Sequence, residues 1–180
     1  MTRRDGARAA PEGWSRRPAL LRQARPAQAR RSGHNGGVVD ADVIRLIEIR
    51  DVALSPTEIL AAVDDPGAGG TTLFVGTVRD HDGGRDVKDL RYSAHPSAIE
   101  VMHSVARGVV AEHDVVALAA VHRVGDLAIG DIAVVVAVSC GHRGEAFVAC
   151  RALIDRIKAQ VPIWKHQMFV DGSSEWVGTP

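Results

Sequence analysis

"VVALAAVHRVGDLAIGDIAVVVAVS", Val115 to Ser139, contains two apolar runs, "VVALAAVHRVG" and "DIAVVVAVS", joined by a turn around "LAIGD". Runs of this length, rich in β-branched residues and bounded by glycine and aspartate, read as strands. The second is almost wholly apolar, so neither of its faces suits water and it belongs centrally in a sheet. His122, near the end of the first run, reads as a structural residue that terminates its strand.

Upstream of this pair, "VIRLIEI" from Val43 alternates apolar and polar residues, as a half-buried strand does. "SPTEILAAV" then starts a helix, with Ser55 as N-cap, Pro56 at the first helical position and Glu58 three residues after the cap. "TTLFVGTVR" is a strand ending in Arg79, "DHDGGRD" a polar turn and "VKDLRYSA" a returning strand, which together predict a long hairpin. A helix follows from about Pro96 to His113, with Ile99, Met102, Val105, Ala106 and Val109 in helical spacing.

Downstream of the pair, a second long helix is expected from about Arg143 to Gln160. Phe147, Cys150, Leu153, Ile154 and Ile157 would form its buried side. Pro162 stops it, and "IWKHQMFV" continues as a last strand. Strands and helices thus follow one another without strict alternation and with hairpin-like links. That order predicts an α+β fold, a single globular domain with a mostly antiparallel sheet.

Bulk properties narrow the function. The chain has 180 residues, enough for one domain with a real core. No run approaches the ~20 apolar residues of a membrane span. Two cysteines, Cys140 and Cys150, are too few for a disulfide framework and suit a reducing compartment, so the expected location is cytoplasmic. The neutral net charge hides an asymmetry: residues 1 to 37 hold nine arginines against Asp5 and Glu12. That segment carries +7 and the remainder −7. It is poor in large apolar residues and reads as a disordered, dispensable tail, with the folded domain at residues 38–180. No aromatic platform or reading helix accompanies the basic tail, so nucleic acid is not an expected partner.

The chemistry-bearing residues cluster at element ends. Arg79 closes a strand; His142 and Arg143 stand between a buried strand and a helix start, where free backbone N–H groups attract anions. Lys158 and Lys165 lie in "KAQVPIWKHQ" and are two of only three lysines among 22 basic residues. Arginine stays protonated, whereas a lysine can be tuned to exchange its proton. These residues are cationic with no obvious carboxylate partner, so a site built from them takes an anionic ligand such as a phosphate ester. Arg143 and Lys158 are fifteen residues apart on one predicted helix, roughly 22 Å at 1.5 Å per residue. Either the two helix ends serve different sites, or a second copy of the chain completes the first. Cys140 and His142 invite a thiol or metal reading, but zinc needs four ligands and no fourth is found. Cys150 falls on the apolar face of its helix and is assigned to the core. No resident metal or cofactor is expected.

Four blocks, "FVGTVRDHD", "VHRVGDLAIGD", "SCGHRGEAF" and "KAQVPIWKHQ", resemble in order and spacing the large, catalytic subunit of molybdopterin synthase. The resemblance covers about residues 40 to 177. It implies an α/β hammerhead fold and a homodimer at the centre of a heterotetramer. It also implies a small ubiquitin-like sulfur-carrier partner whose C-terminal Gly-Gly bears a thiocarboxylate. The implied reaction moves sulfur from that thiocarboxylate to cyclic pyranopterin monophosphate, twice, to form the dithiolene of molybdopterin. The family's substrate-contacting positions fall on Thr77, Val78, Arg79, His142, Arg143, Lys158, Lys165, His166 and Gln167, with Lys158 and Lys165 as the catalytic pair. A sulfur carried by the partner leaves no need for a catalytic cysteine here.

The sequence also departs from the family pattern. "SAHPSA" has no tyrosine before its proline, and Gln167 stands where enterobacterial-type relatives have an acid, so it cannot act as a general base. The sequence ends on "EWVGTP", shorter than some relatives, so part of the partner surface is expected to differ. The contrasting reading is a non-catalytic paralogue that binds the carrier or a phosphorylated ligand.

Overall fold

The computed structural model describes residues 42–178; the arginine-rich segment 1 to 37 lies outside them. The stretch that opened the sequence reading forms β5 (Val115–Arg123) and β7 (Ile132–Cys140), antiparallel neighbours at the centre of a four-stranded sheet. β1 (Ile44–Arg50) flanks β5 in parallel and β2 (Gly70–Thr77) flanks β7 antiparallel, giving the order β1-β5-β7-β2. β7 is almost wholly apolar because both of its faces are covered, and its one hydroxyl, on Ser139, donates to the Val63 carbonyl. Leu118, Ala120, Val134, Val136 and Val138 face α2 (Ala98–Glu112) and α3 (Arg143–Gln160), packing with Met102, Val109, Leu153 and Ile157. Their neighbours Ala117, Ala119, Val121, Val135 and Ala137 face Ile59 and Val63, at α1 (Pro56–Ala62) and its C-cap. Alanines on that face let a short helix lie close. As expected, Ser55 caps α1, its Oγ accepting from the Glu58 amide at 3.3 Å.

A second sheet carries β3 (His81–Asp82), β4 (Arg85–Ala94), β8 (Ile163–Phe169) and β9 (Ser174–Val177), in that order, with β6 (Gly125–Leu127) also on β4. A small cluster of Val78, Leu90, Leu127 and Ala133 joins the two sheets. The α+β class and the mostly antiparallel pairing match the sequence reading.

Three expectations are corrected. β2 and "VKDLRYSA" do not form a long hairpin: β2 pairs with β7, and β4 pairs with β8 in the other sheet. The hairpin that does form is short, β3 with β4, around Gly83 and Gly84 at φ +57° and +79°. Two consecutive residues in the left-handed region suit the twist of a two-residue hairpin turn, and glycine enters that region without strain. Phe147 is not on the buried side of α3; it is 63% exposed, and Ala146, Ala149 and Cys150 fill the inner face instead. Finally, "IWKHQMFV" is not the last strand, because β9 adds a further antiparallel edge held to β4 by the Arg85–Glu175 ion pair.

Candidate functional site

The register of the second sheet decides which side chains can meet. Tyr92 lies opposite Lys165 and Leu90 opposite Gln167, while Arg91 lies opposite His166. Successive strand residues point to opposite faces. Tyr92, Leu90, Lys165 and Gln167 therefore share one face, and His166 is on the other. On its own face His166 stacks on Trp176, ring centroids 4.4 Å apart, beside a separate outer groove.

Lys158 rises from the last turn of α3, a helix end that favours a cation, toward the same face as Lys165. A pocket of about 140 Å³ results, lined by Thr77, Val78, Arg79, Asp82, Lys158, Lys165 and Gln167, among others. A second hollow of about 230 Å³ shares Tyr92, Lys158 and Lys165 and continues past His122 to Val134, Ile157 and Ile163. Six of the nine expected site residues thus converge: Thr77, Val78, Arg79, Lys158, Lys165 and Gln167. His142, Arg143 and His166 do not line either hollow.

His142 is the N-cap residue of α3 and Arg143 its first residue, both exposed. Their place is set by close backbone packing. A Cβ at Gly69 would lie 2.2 Å from the Gly141 carbonyl oxygen, and one at Gly70 would lie 3.0 Å from the Arg143 backbone. Glycines at the start of β2 therefore hold the turn before α3 against the sheet. With α3 unbroken between them, Arg143 and Lys158 remain about 22 Å apart along the axis.

The expectation that the cations have no carboxylate partner is overturned. Lys165 Nζ donates to Asp82 Oδ2 at 2.8 Å, and Arg79 donates to Asp82 Oδ1 at 3.3 Å. The Lys165 ammonium, with help from Gln167 and the Arg79 charge, holds the Asp82 carboxyl below the usual aspartate range. The sequence signal for Asp82 was present in "DHDGG": a glycine-pair turn folds its flanking residues back onto the next strand.

His122 stands one residue before the end of β5, as expected, and it also has a place in the cleft. It is 8% exposed and lines the second hollow beside Lys158. Its Nδ1 donates to the Arg123 carbonyl at 2.8 Å, because a carbonyl can only accept. The edge of the ring meets Tyr92 at 5.0 Å between centroids. Burial pushes its pKa down to about 4, with the Lys158 charge acting in the same direction. The imidazole is neutral at pH 7, with its lone pair on Nε2. Burial likewise raises the Tyr92 pKa, aided by the Asp82 charge.

Both thiols are buried. Desolvation raises the Cys140 pKa and pushes Cys150 up to about 11, the opposite of an activated nucleophile. Among the described residues no group of His, Cys, Asp and Glu could hold a metal ion, and no helix is long and apolar enough to cross a membrane. What remains is a cationic cleft with one carboxylate, an annex with both aliphatic and polar walls, and a neutral imidazole. It can bind anions and exchange protons.

Comparison with known proteins gives concordant results. The family model described as "MoaE protein" matches residues 49–160. Molybdopterin synthase catalytic subunit 1 of Mycobacterium tuberculosis is 45% identical over 131 residues, which cover 72% of this chain and 88% of that protein. The crystal structure of molybdopterin synthase from Staphylococcus aureus superposes with a TM-score of 0.69 at 32% identity, covering 74% of this chain and 97% of that one. A complex of subunits 1 and 2 of the molybdopterin-converting factor from Helicobacter pylori shares the fold. Its TM-score is 0.55 at 21% identity, over 76% of this chain and 89% of that one.

Proposed function

Because this chain belongs to the MoaE protein family, we propose that its cationic cleft is the sulfur-transfer site of a molybdopterin synthase catalytic subunit. The donor is the C-terminal thiocarboxylate of a small sulfur-carrier subunit, and the acceptor is cyclic pyranopterin monophosphate. Both are anionic, so bringing them together requires positive charge in a partly desolvated place. The observation that carries the reading is the convergence of Lys158, Lys165 and Arg79, drawn from α3, β8 and the loop after β2, on one pocket.

Each residue has a role suited to its chemistry. Arg79 meets phosphate, for which its planar fork is well matched. Lys158, on the border between the polar pocket and its partly aliphatic annex, acts at the thiocarboxylate, stabilising developing negative charge and exchanging protons. The annex accommodates the narrow Gly-Gly end of the carrier. Gln167, only 2% exposed, serves as a hydrogen-bonding wall and not as a base. The cleft needs no thiol of its own, in keeping with two buried cysteines.

The site is completed by a second copy of the chain. The pocket where the cations converge, at about 140 Å³, falls below the ~300 Å³ at which small-molecule sites usually begin. Arg143 lies too far along α3 to reach its own lysines. One turn on from Arg143, the exposed Phe147 and Val148 form an apolar surface on α3, which packs on β2, an edge strand of its sheet. Such a surface beside an unpaired strand edge is suited to a partner. Contact there by a second copy delivers His142 and Arg143 to the neighbour's cleft as further phosphate ligands. The reaction takes place in the cytoplasm, where the thiols stay reduced.

Reconstitution tests the reading: purified chain, thiocarboxylated carrier and the cyclic monophosphate should yield molybdopterin. No product with any carrier would leave only the non-catalytic binding role.

A further inference from the structure

None of the roles above uses the carboxylate of Asp82, and a carboxylate is an odd choice in a cleft that must admit two anions. Its placement is nevertheless well determined. Asp82 ends β3, and the Gly83-Gly84 turn folds it back so that it pairs with Arg85 in β4. From there it reaches Lys165 on β8, 83 residues away in sequence, at 2.8 Å. Its other oxygen accepts from Arg79, and Gln167 lines the same pocket beside the carboxylate. The Lys165 side chain is 19% exposed and that of Asp82 34%, so solvent screens this pair less than it would a surface pair.

We propose that Asp82 is a positioning residue of the pocket: it clamps the Lys165 ammonium in one orientation between β3 and β8. Lys165 then serves as a fixed cation that orients the substrate, and the proton exchange falls to Lys158. A lysine side chain on four rotatable carbons has many positions open to it. One charge-assisted hydrogen bond removes most of them while leaving two N–H groups to donate into the pocket. The cost of weakening the local positive field is offset by a donor already aimed before substrate arrives. The substrate named here rests on the synthase reading; the clamp itself does not.

The chain's lysines are Lys88, Lys158 and Lys165, so trace labelling of intact protein with an amine reagent, read by peptide mass spectrometry, reports each of them. Asp82→Asn is expected to raise labelling of Lys165 relative to Lys88 by about threefold or more, with a smaller change at Lys158. In the reconstituted synthase the same variant should lower kcat by about tenfold or more, through misplacement of the bound substrate, with a smaller change in KM. Asp82→Ser, which also lacks the carboxylate, carries both readouts if the Asn variant does not fold. Equal Lys165 labelling with and without the carboxylate would mean that no clamp exists. Changed labelling with unchanged kcat would mean that the clamp does not serve the reaction. Failure of the native chain to make molybdopterin would overturn the synthase reading, while the labelling would still decide the clamp.

Discussion

Arg143 and Lys158 stand on one helix, fifteen residues and about 22 Å apart, and only Lys158 faces the cleft. If Arg143 works in the partner's cleft, two defective chains can restore one site. In a mixed dimer of Arg143→Ala and Lys158→Ala chains, one cleft holds both defects and the other holds neither. Isolated by two affinity tags, such dimers should show about half the native activity, while each variant alone is inactive. Mixed dimers as inactive as the parents would confine each site to a single chain.

The two lysines should respond differently to arginine. Lys158→Arg keeps the charge but removes a group able to release its proton, and kcat is expected to fall by about 100-fold or more. Lys165→Arg keeps a cation opposite Asp82, and its loss should be clearly smaller. Steady-state rates of both variants decide this; equal losses would contradict the division of labour.

His122 makes stability depend on pH. Its folded-state pKa of about 4 lies below the ordinary histidine value of 6.5. Between those values the unfolded chain binds a proton that the folded one refuses. The stabilisation is thus fully present above about pH 6.5 and lost as the pH falls toward 4, on the order of 3 kcal/mol in all. Urea unfolding at pH 7 and pH 4.5 should show a steeper decline for the native chain than for His122→Gln. Carboxylate contributions are common to both chains and cancel in the comparison. Parallel declines would mean that His122 is not held neutral by burial.

Cys140→Ala separates the carrier mechanism from a thiol mechanism. Cys140 is fully buried, so its loss should cost about 1 kcal/mol of stability through a small cavity. Activity at a temperature where the variant is folded should stay within about twofold of native. Loss of turnover with the fold intact would place sulfur on this chain.

Much of the fold was legible because periodicity records burial. β7 has no polar face, and the structure covers both of its faces; Ser55 and Pro56 mark α1 as capping rules require. Strand partnership was less legible. β2 and β4 are neighbours in sequence, yet pairing is settled by which sheet each can complete, and nothing local encodes that. Phe147 misled for a related reason: helical spacing alone did not show that the smaller Ala146 and Ala149 fill the inner face. In the site, the cations stood out because lysine is scarce in this chain. Asp82 and His122 did not, since their partners come from distant segments: Lys165 meets Asp82 through the β3–β4 turn and the pairing of β4 with β8, and Tyr92 meets His122 across the two sheets.

The central claim is that the cleft moves sulfur from a carrier to a pterin phosphate. The most direct measurement counts both sides of that transfer. Purified chain is mixed with a thiocarboxylated carrier and cyclic pyranopterin monophosphate. Thiocarboxylate consumed and molybdopterin formed are then quantified in one reaction. The expected result is about two thiocarboxylates converted to carboxylate per molybdopterin, one for each sulfur of the dithiolene, and no turnover with Lys158→Ala. Carrier that binds but keeps its sulfur, with the native chain present and folded, would contradict the account.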